Sequence, residues 1–133
     1  KNTIEILKDF NVEHQFDPKS NNQIRYEPIG VCGLITPWNF PMNQIVLKVI
    51  PALAAGCTII IKPSEETPAT EVDIGERFME AGLPSGVLNI IFGIPDKISR
   101  YLLESPIPKA ITFTGVEFSF EHVHSNNRED KHE

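Results

Sequence analysis

From residue 30 onward, the apolar positions fall into short blocks that switch character at regular intervals. "GVCGLITP" is a continuous apolar run bounded by glycine and proline, which predicts a buried strand. "MNQIVLKVIPALAAG" sets Ile45, Leu47, Val49, Ile50, Leu53 and Ala54 on a broad helical stripe. It stops at Gly56, and Pro51 is expected to kink or divide it. "CTIIIKP" is β-branched throughout and does not alternate, as suits a parallel strand covered on both faces. "ATEVDIGERFMEAG" predicts an amphipathic helix ending at Gly82, "GVLNIIFG" a third strand, "DKISRYLLES" a third helix and "KAITFTG" a fourth strand. The strands are expected at about residues 31–36, 57–62, 87–92 and 110–114. Strand and helix alternate throughout, which predicts an α/β fold with an open, Rossmann-like parallel sheet, flanking helices and right-handed crossovers.

Residues 1–26 read differently. "NTIEILKDFN" carries Ile4, Ile6, Leu7 and Phe10 and suits one short amphipathic helix. The polar stretch after it predicts a short strand, a turn at "DPKSNN", and another strand running into Pro28.

Composition narrows the function classes. The chain has 133 residues, enough for one modest domain, and a net charge of -6. Its 12 Lys and Arg form no basic block, which argues against a nucleic-acid or anionic-membrane surface. No apolar run reaches the length of a membrane span, and no signal peptide is evident. The chain begins with Lys1 rather than Met, in keeping with a processed, trimmed or incomplete start. The two cysteines, Cys32 and Cys57, lie in or beside apolar runs and form no metal or disulfide motif. A reducing, cytoplasmic setting is the simplest expectation.

Ligands of open parallel sheets bind beyond the carboxyl ends of the strands. Those ends here are "TPWN", "KPSEE", "FGIPD" and "FTGVE". In "TPWNFP", Pro37 and Pro41 flank the only tryptophan and an asparagine. Each proline fixes φ and removes a donor, so Trp38 and Asn39 are held stiffly. On spacing alone, Asn39 could equally satisfy a turn and Trp38 could sit in the core. Lys62 and Glu65 could be a solvated pair at a helix start, and Glu66 competes with Glu65 for any acidic role.

Taken together, "EPIGVCGLITPWNFP", "KVIPALAAGCTIIIKPSEETP", "EAGLPSGVLNIIFG" and "KAITFTG" resemble, in order and spacing, the NAD(P)-binding part of the aldehyde dehydrogenase superfamily. The likeness runs over residues 27–115, which are expected to form a partial cofactor domain. Residues 1–26 are its N-terminal helix and strand segment, and 116–133 a divergent, partly disordered tail. The family oxidises aldehydes to carboxylic acids through a cysteine thiolate, with hydride passing to nicotinamide.

The resemblance implies roles at matching positions. Asn39 would be the catalytic residue, its amide N–H facing the oxygen that gains negative charge. Lys62 and Glu65 would contact the adenosine ribose, and the carboxylate would favour NAD while leaving NADP possible. Thr36, Pro37, Trp38, Ser64, Gly93 and Gly115 complete the expected cofactor-binding set. The substrate of the complete enzyme would be a small-molecule aldehyde, and the complete enzyme would be a homo-oligomer.

Three departures bear on activity. Val116, Glu117 and Phe118 follow Gly115 where the family has Ser-Thr and a small residue before its diphosphate-binding helix. The family's Glu-Leu-Gly-Gly segment with its general base does not occur in the sequence. Neither Cys32 nor Cys57 occupies the nucleophile's position, and both are expected to be buried and unreactive. The chain alone is therefore expected to be inactive; the alternative is a non-catalytic nucleotide-binding or protein-interaction module. "VEFSFEHV" alternates as an edge strand would, and His122, His124 and His132 sit in a charged tail to which no metal site is assigned.

Overall fold

A computed structural model describes residues 2–19 and 21–115. The opening segment follows its pattern. Helix α1 spans Asn2–Asp9. Strands β1 (Glu13–Gln15) and β2 (Gln23–Arg25) pair antiparallel with Glu13 opposite Arg25, and their side chains meet at 3.2 Å. The Lys19 amide N–H donates to Asp17 Oδ1 at 2.9 Å, a local bond within "DPK".

The rest alternates as expected. In order come β3 (Val31–Ile35), α2 (Pro41–Ala54), β4 (Thr58–Lys62), α3 (Pro68–Glu80), β5 (Leu88–Ile90), α4 (Pro95–Glu104) and β6 (Pro108–Phe113). The four strands are parallel in the order β5-β4-β3-β6. Each of the three helices between them opens on proline at its first turn, where the missing N–H costs nothing. Pro51 does not divide α2, which runs unbroken through it. It sits within the last turn, and the chain then leaves the helix at Gly56 with φ 77°.

Side-chain parity sorts the layers. Cys32 and Leu34 of β3, with Ile59 and Ile61 of β4, face Ile45 and Val49 of α2 and Ile74 of α3 in one buried cluster. The opposite parity faces α4: Ile60 and Pro108 share an apolar groove with Ile98 and Leu102. Helices thus cover both faces, which is why β4 reads as an uninterrupted apolar run. Gly75 of α3 has a physical reason to be glycine, since a Cβ there would meet Ile90 Cδ1 at 2.9 Å.

Strand β5 is shorter than the sequence suggests. Its ladder is extended by other donors: the Ile91 N–H bonds Ile61 O at 2.9 Å, and the Asn89 side-chain amide donates to Ile59 O and Gly86 O. The expected edge strand at residues 116–122 and the histidine-bearing tail lie outside the described residues.

Candidate functional site

Three strand ends are tied into one rim. The Thr36 N–H donates to Lys62 O at 3.2 Å, and the Thr114 N–H donates to Ile35 O at 3.1 Å. The loops leaving β3, β4 and β6 therefore start from fixed positions. Between them and the start of α4 lies a cleft of 440 Å³.

The first wall is the loop from β3 to α2. Thr36 is buried, and its Oγ1 has no partner among the described residues. Pro37, Trp38 and Asn39 follow it along the cleft. Trp38 is not core: it is 63% exposed. Phe40 adopts the left-handed conformation (φ 51°, ψ 51°), the one non-glycine residue with positive φ among those described. A side chain in that region costs about 1–2 kcal/mol. Pro41 after it disfavours the right-handed helical region for Phe40, and Pro37 fixes the backbone at the start of the loop.

The second wall comes from β4. Lys62 is buried at 3% exposure, and its Nζ donates to Pro63 O at 2.8 Å and pairs with Glu65 Oε1. Glu65 keeps 44% of its side chain exposed, so the pair presents its carboxylate outward. Ser64 and Glu65 line the cleft; Glu66 does not, and instead its N–H turns back to Ser64 Oγ at 3.3 Å.

Gly115 closes the cleft from β6, where a Cβ would collide with the Phe113 ring at 2.8 Å. Eight of the nine residues singled out from the sequence thus share one cavity: Thr36, Pro37, Trp38, Asn39, Lys62, Ser64, Glu65 and Gly115. Gly93 is not among its lining residues. It takes φ 148° before α4, with Ile98 Cδ1 3.0 Å from where a Cβ would stand, so its need for glycine is local. The sequence reading missed Gln44, Pro95 and Ser99. Gln44 lies one helical turn after Phe40, and its N–H bonds Phe40 O at 3.0 Å. A helix-face argument from Pro41 could have placed it.

The pattern of the Aldehyde dehydrogenase family matches residues 3–132. The chain belongs to the aldehyde dehydrogenase family. The mitochondrial succinate-semialdehyde dehydrogenase of Arabidopsis thaliana is 52% identical over 89 residues, which is 67% of this chain and 17% of that protein. The 3-succinoylsemialdehyde-pyridine dehydrogenase of a Pseudomonas species is 44% identical over 110 residues, covering 83% of this chain and 22% of that one. The crystal structure of an aldehyde dehydrogenase from Bartonella henselae superimposes with a TM-score of 0.85 at 41% identity, over 98% of this chain and 28% of that one. A mutant aldehyde dehydrogenase C from Pseudomonas syringae, solved in complex with NAD+ and octanal, gives 0.85 at 34% identity, over 97% and 26%. The chain thus spans between 17% and 28% of the length of these four proteins. No helix among the described residues is long and apolar enough to cross a membrane.

Two titrating groups lie in this aldehyde dehydrogenase layer outside the cleft. Burial, then contact with the Cys57 thiol and its charge, pushes the Cys32 thiol above its ordinary 9.0. Burial pulls Lys48 below its ordinary 10.5, while its Nζ donates to Thr112 Oγ1 at 2.6 Å. The signs are opposite. Above pH 9.0 the unfolded chain loses the Cys32 proton first, so stability falls as pH rises. Below 10.5 the unfolded chain holds the Lys48 proton more tightly, so stability rises with pH toward that value. The two partly cancel in the intact chain. Cys32→Val should leave the rising limb and Lys48→Met the falling one, in urea unfolding from about pH 8 to 10.5. Parallel profiles for both variants would refute these assignments.

Proposed function

We propose that this chain is the cofactor-binding portion of an aldehyde dehydrogenase that oxidises an aldehyde to a carboxylic acid with NAD, NADP being possible. The observation that carries this reading is the convergence of Asn39, Lys62 and Glu65 on one cleft at the carboxyl ends of parallel strands.

The donor set fits an adenosine ribose. A ribose offers neighbouring hydroxyls; Lys62 Nζ can donate to one, and the outward Glu65 carboxylate can accept from two. That carboxylate also disfavours a 2′-phosphate by charge, which is the basis for preferring NAD. When bound, the nicotinamide supplies the hydride acceptor. Asn39 contributes a neutral amide donor on a loop restrained by Pro37 and Pro41. By analogy with other oxyanion donors, such a group is worth about 2.7–4 kcal/mol where negative charge develops. Cys32 and Cys57 are both buried, and neither lines the cleft, so we assign no nucleophile within the chain. We propose that the isolated chain is inactive. We also propose a cytoplasmic setting, in keeping with two free thiols, and a small-molecule aldehyde and homo-oligomeric assembly for the complete enzyme.

Calorimetric titration with AMP and with NAD tests the reading. Similar affinities for the two are expected, because the ribose contacts are common to both. Aldehyde should produce no NADH with the purified chain. An NAD affinity far above that of AMP would contradict binding through the adenosine half alone, and turnover abolished by a thiol reagent would contradict inactivity. Absence of any AMP binding would favour a non-nucleotide interaction module.

A further inference from the structure

The layer between the sheet and helices α2 and α3 is apolar except at the tier nearest the carboxyl ends of the strands. Two side chains make that tier polar: Thr36, at 3% exposure, and Glu71, at 1%. Among the described residues, neither Thr36 Oγ1 nor Glu71 Oε2 has a hydrogen-bond partner. Burying such groups unpaired is costly, and buried polar atoms are as a rule paired to protein or to ordered water.

Register and helix phase bring the two to one place. The Thr36 N–H donates to Lys62 O, so the β3–β4 ladder continues one residue past Ile35 and sets Thr36 across from Pro63. Side chains alternate, so Thr36 follows Cys32 and Leu34 on the α2–α3 face, and Pro63 follows Ile59 and Ile61. Glu71 stands one turn before Ile74 and Gly75, the α3 positions that meet the core cluster and Ile90. A helix joining two parallel strands runs back against them, so the first turn of α3 lies over their carboxyl ends. Glu71 therefore faces Pro63 and its neighbour Thr36. One carboxylate oxygen is already held, since Thr67 Oγ1 donates to Oε1 at 3.0 Å. Pro63 is fully buried and has no N–H to offer the other.

We propose that one buried water joins Glu71 Oε2 to Thr36 Oγ1, and that Glu71, acting through it, is a positioning residue for the loop that carries Trp38 and Asn39. The chemistry of the pair suits water. The carboxylate only accepts, so it takes one water hydrogen, and the Thr36 hydroxyl can give or take the second bond. Thr36 is where β3 ends and the loop begins. The backbone bonds at the loop's two ends are Thr36 N–H to Lys62 O and Gln44 N–H to Phe40 O. Between them Phe40 holds its left-handed conformation, which persists only where the surroundings over-determine it. Holding the Thr36 side chain as well as its backbone stiffens the loop at its root. The benefit to nucleotide binding rests on the cleft reading above; the ordering of the loop does not.

The test is nitrogen-15 relaxation of the whole chain, read at the Trp38 and Asn39 backbone amides, with urea unfolding beside it. Glu71→Leu and Thr36→Val each remove one partner of the water at similar shape. In each, the two order parameters should fall from about 0.85 to below about 0.6. The double variant should match the single ones, because both remove the same bridge. Glu71→Gln should keep the wild-type values, since the water can turn to accept from the amide. The urea midpoint of Glu71→Leu should hold or rise, because an apolar side chain replaces a buried carboxylate. Unchanged order parameters in Glu71→Leu and Thr36→Val would overturn the proposal. So would additive losses in the double variant, a Glu71→Gln that behaves like Glu71→Leu, or losses seen only where the midpoint has also fallen. AMP should bind Glu71→Leu and Thr36→Val more weakly than the wild type. If the wild type binds no AMP, the cleft reading fails while the order parameters still decide this proposal.

Discussion

Glu65→Gln should destabilise the chain by about 1–3 kcal/mol, whereas Lys62→Met should cost less than about 1 kcal/mol. The asymmetry follows from unequal burial of one ion pair. Lys62 keeps 4% of its side chain exposed and Glu65 keeps 44%. Replacing the carboxylate by an amide takes the counter-charge from a desolvated ammonium and leaves it only neutral acceptors, the amide oxygen and the Pro63 carbonyl. Removing the ammonium leaves a carboxylate that water already reaches, and methionine fills the vacated stem. Binding should not share the asymmetry. Both variants should weaken AMP by about tenfold or more, the worth of one charge-assisted hydrogen bond. Urea midpoints and calorimetric titration separate the two effects. Equal stability losses would mean that the pair is an ordinary surface contact, and unchanged AMP affinity in both would remove it from the ribose site.

Ile59→Ala should cost about 2–5 kcal/mol, enough to unfold a large share of a marginal domain. Ile59 is 0% exposed at the centre of β4, between β3 and β5, and belongs to the cluster shared with α2 and α3. Neighbours on three sides are fixed by strand pairing or helix packing, so the site can collapse little around the lost carbons. A urea midpoint shift at unchanged m-value is the expected signature. A loss below about 1 kcal/mol would show a core that relaxes freely, in conflict with the parallel sheet described here.

The parallel sheet was legible because β3 and β4 are covered on both faces, so their runs "VCGLI" and "TIIIK" carry no polar interruption. Strand ends were less legible. The sequence extends β5 to residue 92, yet the paired strand runs only over Leu88–Ile90, with one further bond from the Ile91 N–H to Ile61 O. Pro51 does not divide α2, because it removes one N–H near a helix end, where α2 is about to stop in any case. Among cleft residues, the eight recovered from the sequence lie on strand-end loops, where motif and position coincide. Ser99 and Gln44 reach the cleft from helices, and their spacing resembles any exposed helical polar position. Gly93, named as cofactor-binding through the family resemblance, does not line this cleft, and its φ of 148° precedes α4.

The loop that carries Asn39 also carries Trp38, the only tryptophan of the sequence, 63% exposed at the lip of the cleft. Every other chromophore that could compete at its excitation edge is a tyrosine, and Tyr26 and Tyr101 lie outside the cleft lining. The molecule therefore contains a built-in optical reporter at one address. Its emission should be that of a largely hydrated indole in the free chain, quenched readily by iodide or acrylamide. Anything that settles into the cleft should shield that indole and shift its emission to the blue, without a label and without altering the core.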